Sequence, residues 1–301
     1  MKRWYGHGFH NVAALRIAFF TVRTVPRFVQ SPLAAVTALV FFLMLKNERR
    51  AVSSNLRRVS GRRGLALQWK VYRVFYSFCD LIVSYAFVPQ ASHAQLLAML
   101  KDGDRGAAVI DQCLQAGNGL IVWTAHLGNP EFASRLLEMH GRPVNVARVV
   151  EDKPAEKMLR DRMSNERLRI VDLRGGARAT IELLQALRRN EIVAIQGDRV
   201  YHPRHSAAVP FFAEPADFPL GPFLLSRVSG APVLPGFVVR SGWLRYRVLL
   251  GEPIFPACSG NRDEDQRIGL CQAVRFLEAR LANYYDQWVN FFDFWPVHPR
   301  D

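Results

Sequence analysis

The sequence predicts an α/β fold: a mixed, mostly parallel sheet flanked by helices, with an N-terminal helical membrane-associated segment ahead of it. Three observations carry that expectation. From Gly117 onward, apolar runs of strand length alternate with helical patterns. Residues 1–79 contain 14 Lys or Arg and a single acid, Glu48, amid long apolar stretches. The rest of the chain carries 26 basic and 25 acidic residues, the near-balance of an ordinary globular domain. With 301 residues, 50% of them hydrophobic, there is ample material for one large core. No low-complexity linker or internal repeat interrupts it, so the simplest division is a membrane-associated segment over 1–90 and a catalytic domain over 91–301.

Within the basic segment, 33–45 is nearly uninterrupted apolar sequence. It is shorter than the roughly 20 residues of a typical spanning helix, which leaves a re-entrant or interfacial helix and a buried core helix as its two readings. The stretch 12–22 is also apolar but is broken by Arg16. Basic residues beside apolar helices attract an anionic leaflet by about 1 kcal/mol each near the surface, so peripheral attachment or a short anchor is expected. A secretory signal peptide is not expected: Lys2 and Arg3 are followed by Gly6, His7 and Asn11, and Arg16 interrupts the apolar part. Nucleic acid is not expected as a partner either, because 49–63 lacks interleaved aromatics, zinc spacing and any ribonucleoprotein motif. Cys79, Cys113, Cys258 and Cys271 show no metal or redox spacing and fit free thiols in a reducing location.

In the second part, strands are expected at 120–125, 144–150, 192–196, 233–239 and 244–250, and helices at 130–140, 177–189, 220–228 and from 264 to about 289. In such folds, sites gather beyond the carboxyl ends of the strands, where His126 and Asp198 both fall. The aromatic end of the last helix (Tyr284, Tyr285, Trp288, Phe291, Phe292, Phe294 and Trp295) reads as core or as a rim near lipid.

His126 and Glu131 form a His-x-x-x-x-Glu pair just past the first strand. On a continuous helix, five residues would turn their side chains about 140° apart, so they meet only if the intervening chain is not helical. Gly128 supplies a bend, and Pro130 suits the first helical position with Asn129 as its cap. Glu131 would then lie in the first helical turn facing His126, where a carboxylate on one imidazole nitrogen raises the basicity of the other. No nucleophile accompanies the pair: Ser134 lies one turn into the helix, and neither Gly-x-Ser-x-Gly nor an activated cysteine setting is present. The dyad therefore suits deprotonation of a substrate hydroxyl.

The motif after an apolar strand resembles the first motif of the lysophospholipid acyltransferase superfamily, in the branch of bacterial lipid A (late) acyltransferases. Residues 175–199, ending Gln196-Gly197-Asp198-Arg199, are similar to that family's helix, strand and acidic loop, and Val209-Pro210-Phe211-Phe212 followed by 222–235 resembles its third and fourth blocks in the same order. The resemblance covers roughly 30–295. Gly197-Asp198-Arg199 departs from the lipid A enzymes' Asp followed by Gln or His, and the ending Asn290-Phe291-Phe292-Asp293-Phe294-Trp295 resembles a less-studied branch of predicted acyltransferases.

What the resemblance implies is acyl transfer from an acyl-carrier protein or acyl-CoA to a hydroxyl or amine of a lipid or glycolipid, at the cytoplasmic face of a bacterial inner membrane, with no metal or other cofactor. His126 is the base and Glu131 orients it. Backbone donors around Gly128, Asn129 and the start of the following helix meet the oxyanion. Arg148 stands where the family places an arginine. Asp198 has three open roles: orienting its loop, binding the acceptor, or pairing with Arg199. Arg174 and Arg178, before and in a helix N-terminus, are further anion-binding candidates. His202 and His205 with Asp198 form a loose metal-like set with no enforced ligand spacing. Phe211, Phe212, Phe218 and Phe223 are candidates for an acyl groove, or equally for core. A thioester or lipid hydrolase using the same dyad and a non-catalytic membrane-binding protein are the competing classes.

Overall fold

The computed structural model describes residues 12–101, 106–150, 152–257 and 259–295. Lys2, Arg3, Gly6, His7, Asn11 and Cys258, named above, lie outside the described residues. Four helices come first: α1 (Val12–Thr24), α2 (Arg27–Met44), α3 (Lys46–Ser60) and α4 (Gly64–Phe87). The short α5 (His93–Ala98) and α6 (Ala107–Gln115) lead into an alternation of β1 (Leu120–Thr124), α7 (Pro130–Leu137), β2 (Val144–Arg148), α8 (Pro154–Met163), β3 (Leu168–Asp172), α9 (Ala177–Arg188) and β4 (Ile192–Gln196). A hairpin of β5 (Ser206–Phe211) and β6 (Glu214–Pro219), then α10 (Gly221–Ser229), β7 (Val233–Gly242), β8 (Arg245–Leu250) and α11 (Arg262–Tyr284) complete the order.

The main sheet runs β3-β2-β4-β1-β7-β8, parallel throughout except for β8, which returns antiparallel on β7. β1 and β4 lie at its centre, with helices on both faces, so both can be almost wholly apolar: β1 is buried at every position and β4 at all but Gln196. One face packs against α9, α10, α11 and the N-terminal helices in a continuous core that includes Ile121, Trp123, Val193, Phe237, Leu277, Val71 and Leu56. The other face meets α6 and α7 through Leu120, Val122, Ile192, Ala194, Cys113 and Leu137.

The N-terminal helices join this core unequally. α4 buries eleven residues, and its Lys70 and Ser77 reach Asp286 beyond α11 (3.0 Å each). α2 buries only Gln30, Ala34 and Ala38, pressed on α4 by the contacts of Ser31 with the Tyr76 hydroxyl (2.9 Å) and of the Tyr72 hydroxyl with the Ala35 carbonyl (3.1 Å). Ala34 and Ala38 face inward and Phe41 and Phe42 lean on the core, while Phe28, Val36, Leu43 and Met44 are all exposed. The apolar stretch expected at 33–45 therefore belongs to a longer helix that is not a core helix. By length and composition α2 and the stretch Gly64–Gln90 could each cross a membrane, but 61% of the latter's apolar window is buried inside the protein, against 17% for α2.

Two expectations about elements are corrected. The last helix stops at Tyr284, and a single 3-10 turn, Tyr285–Gln287, releases the chain into an extended strap over 288–295. β3, α8 and the β5–β6 hairpin were not expected from the pattern of the sequence. The aromatic end of the chain is core: Trp288, Phe291, Phe294 and Trp295 are buried, with Phe211 stacked on Trp295 at 5.3 Å.

Candidate active site

The parallel register of the two central strands builds the site. Leu120 lies beside Ile192 and Thr124 beside Gln196, an offset of 72 that continues past the strand ends, where the Gly197 amide donates to the Thr124 carbonyl at 2.8 Å. His126 and Asp198, also 72 apart, thus leave the sheet side by side. The His126 Nδ1 lies 2.7 Å from the Asp198 Oδ1, and the His126 backbone amide donates to the Oδ2 at 3.0 Å. With Nδ1–H given to the carboxylate, Nε2 is left as the acceptor.

Burial sets the electrostatics. It pushes the His126 imidazole down to a pKa of about 4; Arg199 and Arg148 push the same way, and Asp198 opposes them. The imidazole is therefore neutral at pH 7 and able to take a proton. Burial alone would raise the Asp198 pKa, but the imidazole, Arg199 and the donated hydrogen bonds outweigh it and hold the carboxyl below the usual range. Two of those donors arrive from the strap: Trp288 Nε1 at 3.0 Å and Asn290 Nδ2 at 3.2 Å, both to Oδ2. Arg199 donates to the Asn290 side chain (2.9 Å) and the Val289 carbonyl (2.9 Å). Asp198 has no exposed surface, whereas His126 keeps 17% of its side chain exposed.

Glu131 is placed otherwise than expected. Asn129 caps α7 through its side chain, accepting from the Phe132 amide at 2.9 Å, with Pro130 at the first helical position, as the sequence indicates. The Glu131 carboxylate, however, accepts from the Tyr85 hydroxyl of α4 and lies 3.9 Å from Arg148. The expectation that Glu131 orients His126 is corrected: Asp198 holds Nδ1, because the register delivers it there while the helix start turns Glu131 toward α4.

The expectation for the backbone donors changes as well. The Gly128 amide donates to the Gln287 carbonyl (3.1 Å), the Asn129 amide to the Val238 carbonyl (2.7 Å) and the His126 amide to Asp198, so none of the three awaits an oxyanion. Gly128 and Asn129 shape the bend. Gly128 has φ +74°, and a Cβ there would fall 2.0 Å from the Val238 carbonyl oxygen.

Glu131 and Arg148, with Thr124 and Gln196, line a cavity that opens to solvent. Apart from Ser134 and His140 its other walls are apolar: Val122, Val146, Ala194, Ile170 and Leu137 from the sheet and α7, then Val248 and Leu250. This lies on the sheet face opposite the expected phenylalanine groove. Phe211, Phe218 and Phe223 are buried in the other core, with Phe212 packed against it, because the β5–β6 hairpin and α10 are clamped beneath α11 and the strap.

Other candidates are not assembled. Arg174 is exposed and paired with Asp152 and Asp172 (2.8 and 2.9 Å), and Arg178 is exposed on α9. His202 and His205 are exposed while Asp198 is enclosed, and among the described residues no group of three His, Cys, Asp or Glu side chains is set to hold a metal. Tyr85, Trp288 and Asn290 were missed. Asn290 opens the aromatic ending of the motif, but nothing local to it signals contact with a residue some ninety positions earlier.

The comparisons with known proteins agree with this architecture. The sequence profile described as "Bacterial lipid A biosynthesis acyltransferase" matches residues 10–295. Two curated relatives, both named phosphatidylinositol mannoside acyltransferase, come from Mycobacterium tuberculosis strains CDC 1551 / Oshkosh and ATCC 25618 / H37Rv. Each is 30% identical over 212 residues, which is 67% of this chain. The match spans 65% of the length of those relatives.

Proposed function

Because the chain belongs to the bacterial lipid A biosynthesis acyltransferase family, we propose that it moves a fatty acyl group from an acyl thioester to a hydroxyl or amine of a lipid or glycolipid, with His126 as general base held by Asp198. The observation that carries this reading is the 2.7 Å contact at Nδ1, which leaves Nε2 of a neutral, partly exposed imidazole as the proton acceptor. The acceptor's proton passes to Nε2, its oxygen or nitrogen attacks the thioester carbonyl, and collapse of the tetrahedral intermediate expels the thiolate, which takes the proton back from the imidazolium. The Arg148 cation lining the cavity, 3.9 Å from Glu131, supplies positive charge for the oxyanion or for an acceptor phosphate. The apolar cavity behind it suits the acyl chain.

A glycolipid acceptor is favoured by the relatives' name, which makes phosphatidylinositol mannoside their substrate. The donor is an acyl-carrier protein or acyl-CoA. The outward bulky face of α2 and the basic N-terminal quarter support docking of the segment 1–90 on an anionic leaflet, at the cytoplasmic face of an inner membrane.

The test is single-turnover release of thiol from palmitoyl-CoA, with and without phosphatidylinositol mannoside. Transfer that needs the acceptor and falls by about 100- to 10,000-fold in His126→Gln supports the reading. Free palmitate formed at the same rate without acceptor means a hydrolase, and an undiminished His126→Gln removes the base.

A further inference from the structure

We propose that Trp288 and Asn290 are positioning residues of the Asp198–His126 pair, and that Asn55 of α3 anchors the strap that carries them. The inference rests on His126 being the base.

Asp198 is an enclosed carboxylate, and such a group is tolerated only when its lone pairs are occupied. The two oxygens are used asymmetrically. Oδ1 is given to the imidazole, while Oδ2 takes the His126 amide, Trp288 Nε1 and Asn290 Nδ2. The terminal torsion of an aspartate is broad and has little preference of its own. Two of the three bonds that fix Oδ2, and so aim Oδ1 at Nδ1, come from the strap.

The strap holds the imidazole's backbone as well. The Val289 amide donates to the His126 carbonyl (2.8 Å) and the Gly128 amide to the Gln287 carbonyl (3.1 Å), a short antiparallel pairing of the two loops. Asn290 is bidentate in effect, donating to Asp198 and accepting from the Arg199 Nε at 2.9 Å, which draws the guanidinium toward the strap. Arg199 also lies over the Phe292 ring, 5.4 Å from its centroid. Asn55, itself buried, donates to the carbonyls of Phe292 (2.8 Å) and Asn290 (3.4 Å) and accepts from the Phe294 amide (2.9 Å). One side chain of α3 thereby satisfies three backbone groups of an otherwise irregular segment.

The pair thus depends on three parts of the chain: the loops after β1 and β4, and the strap. The charged groups facing the imidazole are Asp198 and Arg199 from the loop after β4 and Arg148 from β2. Removing a donor from Asp198 concentrates its negative charge on Nδ1–H and favours the imidazolium.

The test follows the His126 imidazole by 15N NMR in the full chain, its signal assigned by its loss in His126→Gln. Trp288→Phe keeps an aromatic ring but removes the Nε1 donor together with part of the buried indole, a loss of packing for which the Asp198→Asn background controls; Asn290→Ala deletes donor and acceptor; Asn55→Ala releases the strap. We expect each to raise the His126 midpoint from about 4 by half a pH unit or more. In an Asp198→Asn background the shifts caused by Trp288→Phe and Asn290→Ala should vanish. Unchanged midpoints in Trp288→Phe and Asn290→Ala overturn the proposal, and so does an equal shift in the Asp198→Asn background, which marks mere loosening. Should Asn290→Ala not fold, Trp288→Phe decides alone. The base assignment fails separately: it falls if His126→Gln keeps acyl transfer, whereas an inactive His126→Gln with unmoved midpoints removes only the positioning role.

Discussion

At the scale of single residues, the two carboxylates near His126 have distinct jobs. Asp198 fixes the tautomer; Glu131 joins Tyr85 and Arg148, and with Arg148 lines the cavity. Asp198→Asn is therefore expected to lower kcat by about 100- to 10,000-fold, while Glu131→Gln leaves the His126 titration in place and acts through substrate binding, read as a larger effect on KM. Only the neutral imidazole accepts a proton, and burial with Arg199 holds its pKa near 4. The acid limb of the kcat/KM profile should then fall near pH 4, and Arg199→Gln should move it upward. The sign for stability is the same. Between about 6.5 and 4 the unfolded imidazole binds a proton that the folded one does not, so the contribution of His126 to stability is intact above 6.5 and is lost as the pH falls through that window. The motif, the cap and the proline were legible because their chemistry is local. The partner of His126 was not, since only strand register brings Asp198 beside it.

At the scale of elements, the entry to α7 is held by backbone geometry. Gly128→Ala combines a positive φ with a 2.0 Å approach to the Val238 carbonyl, and should destabilise by about 3–5 kcal/mol, measurable by thermal or urea unfolding. The cavity offers a graded test. Ala194 of β4 lines it, and Ala194→Val adds volume that a strand accepts. Selectivity should move to shorter acyl chains, with each methylene excluded costing about 0.8 kcal/mol, or roughly fourfold in kcat/KM. The strands at the centre were readable because burial on both faces demands continuous apolar residues. β3 was not: it is an edge strand whose Arg169 and Ile170 escape full burial. The β5–β6 hairpin hid for another reason. Its turn uses Phe212 and Ala213 at φ 51° and 61° where glycine or asparagine would announce it, and prolines 210, 215 and 219 interrupt its strands.

At the scale of the whole molecule, α2 sets Ala34, Ala38 and part of Phe41 and Phe42 on the core and leaves Phe28, Val36, Leu43 and Met44 outside. Val36→Asp with Leu43→Asp should reduce partitioning onto anionic vesicles by tenfold or more while leaving unfolding almost unmoved, as expected of exposed positions. Flotation with vesicles at rising salt checks both the apolar and the basic contributions. A different lesson follows from the register of β1 on β4. The contact of His126 with Asp198 is delivered by two adjacent strand ends, whatever number of residues the chain spends between them. Lengthening the loops around α8 should leave that contact alone, whereas a slip of one residue within either strand displaces one partner by about 3.3 Å and turns its side chain to the opposite face. Chain length is thus free to drift where the two strands are not.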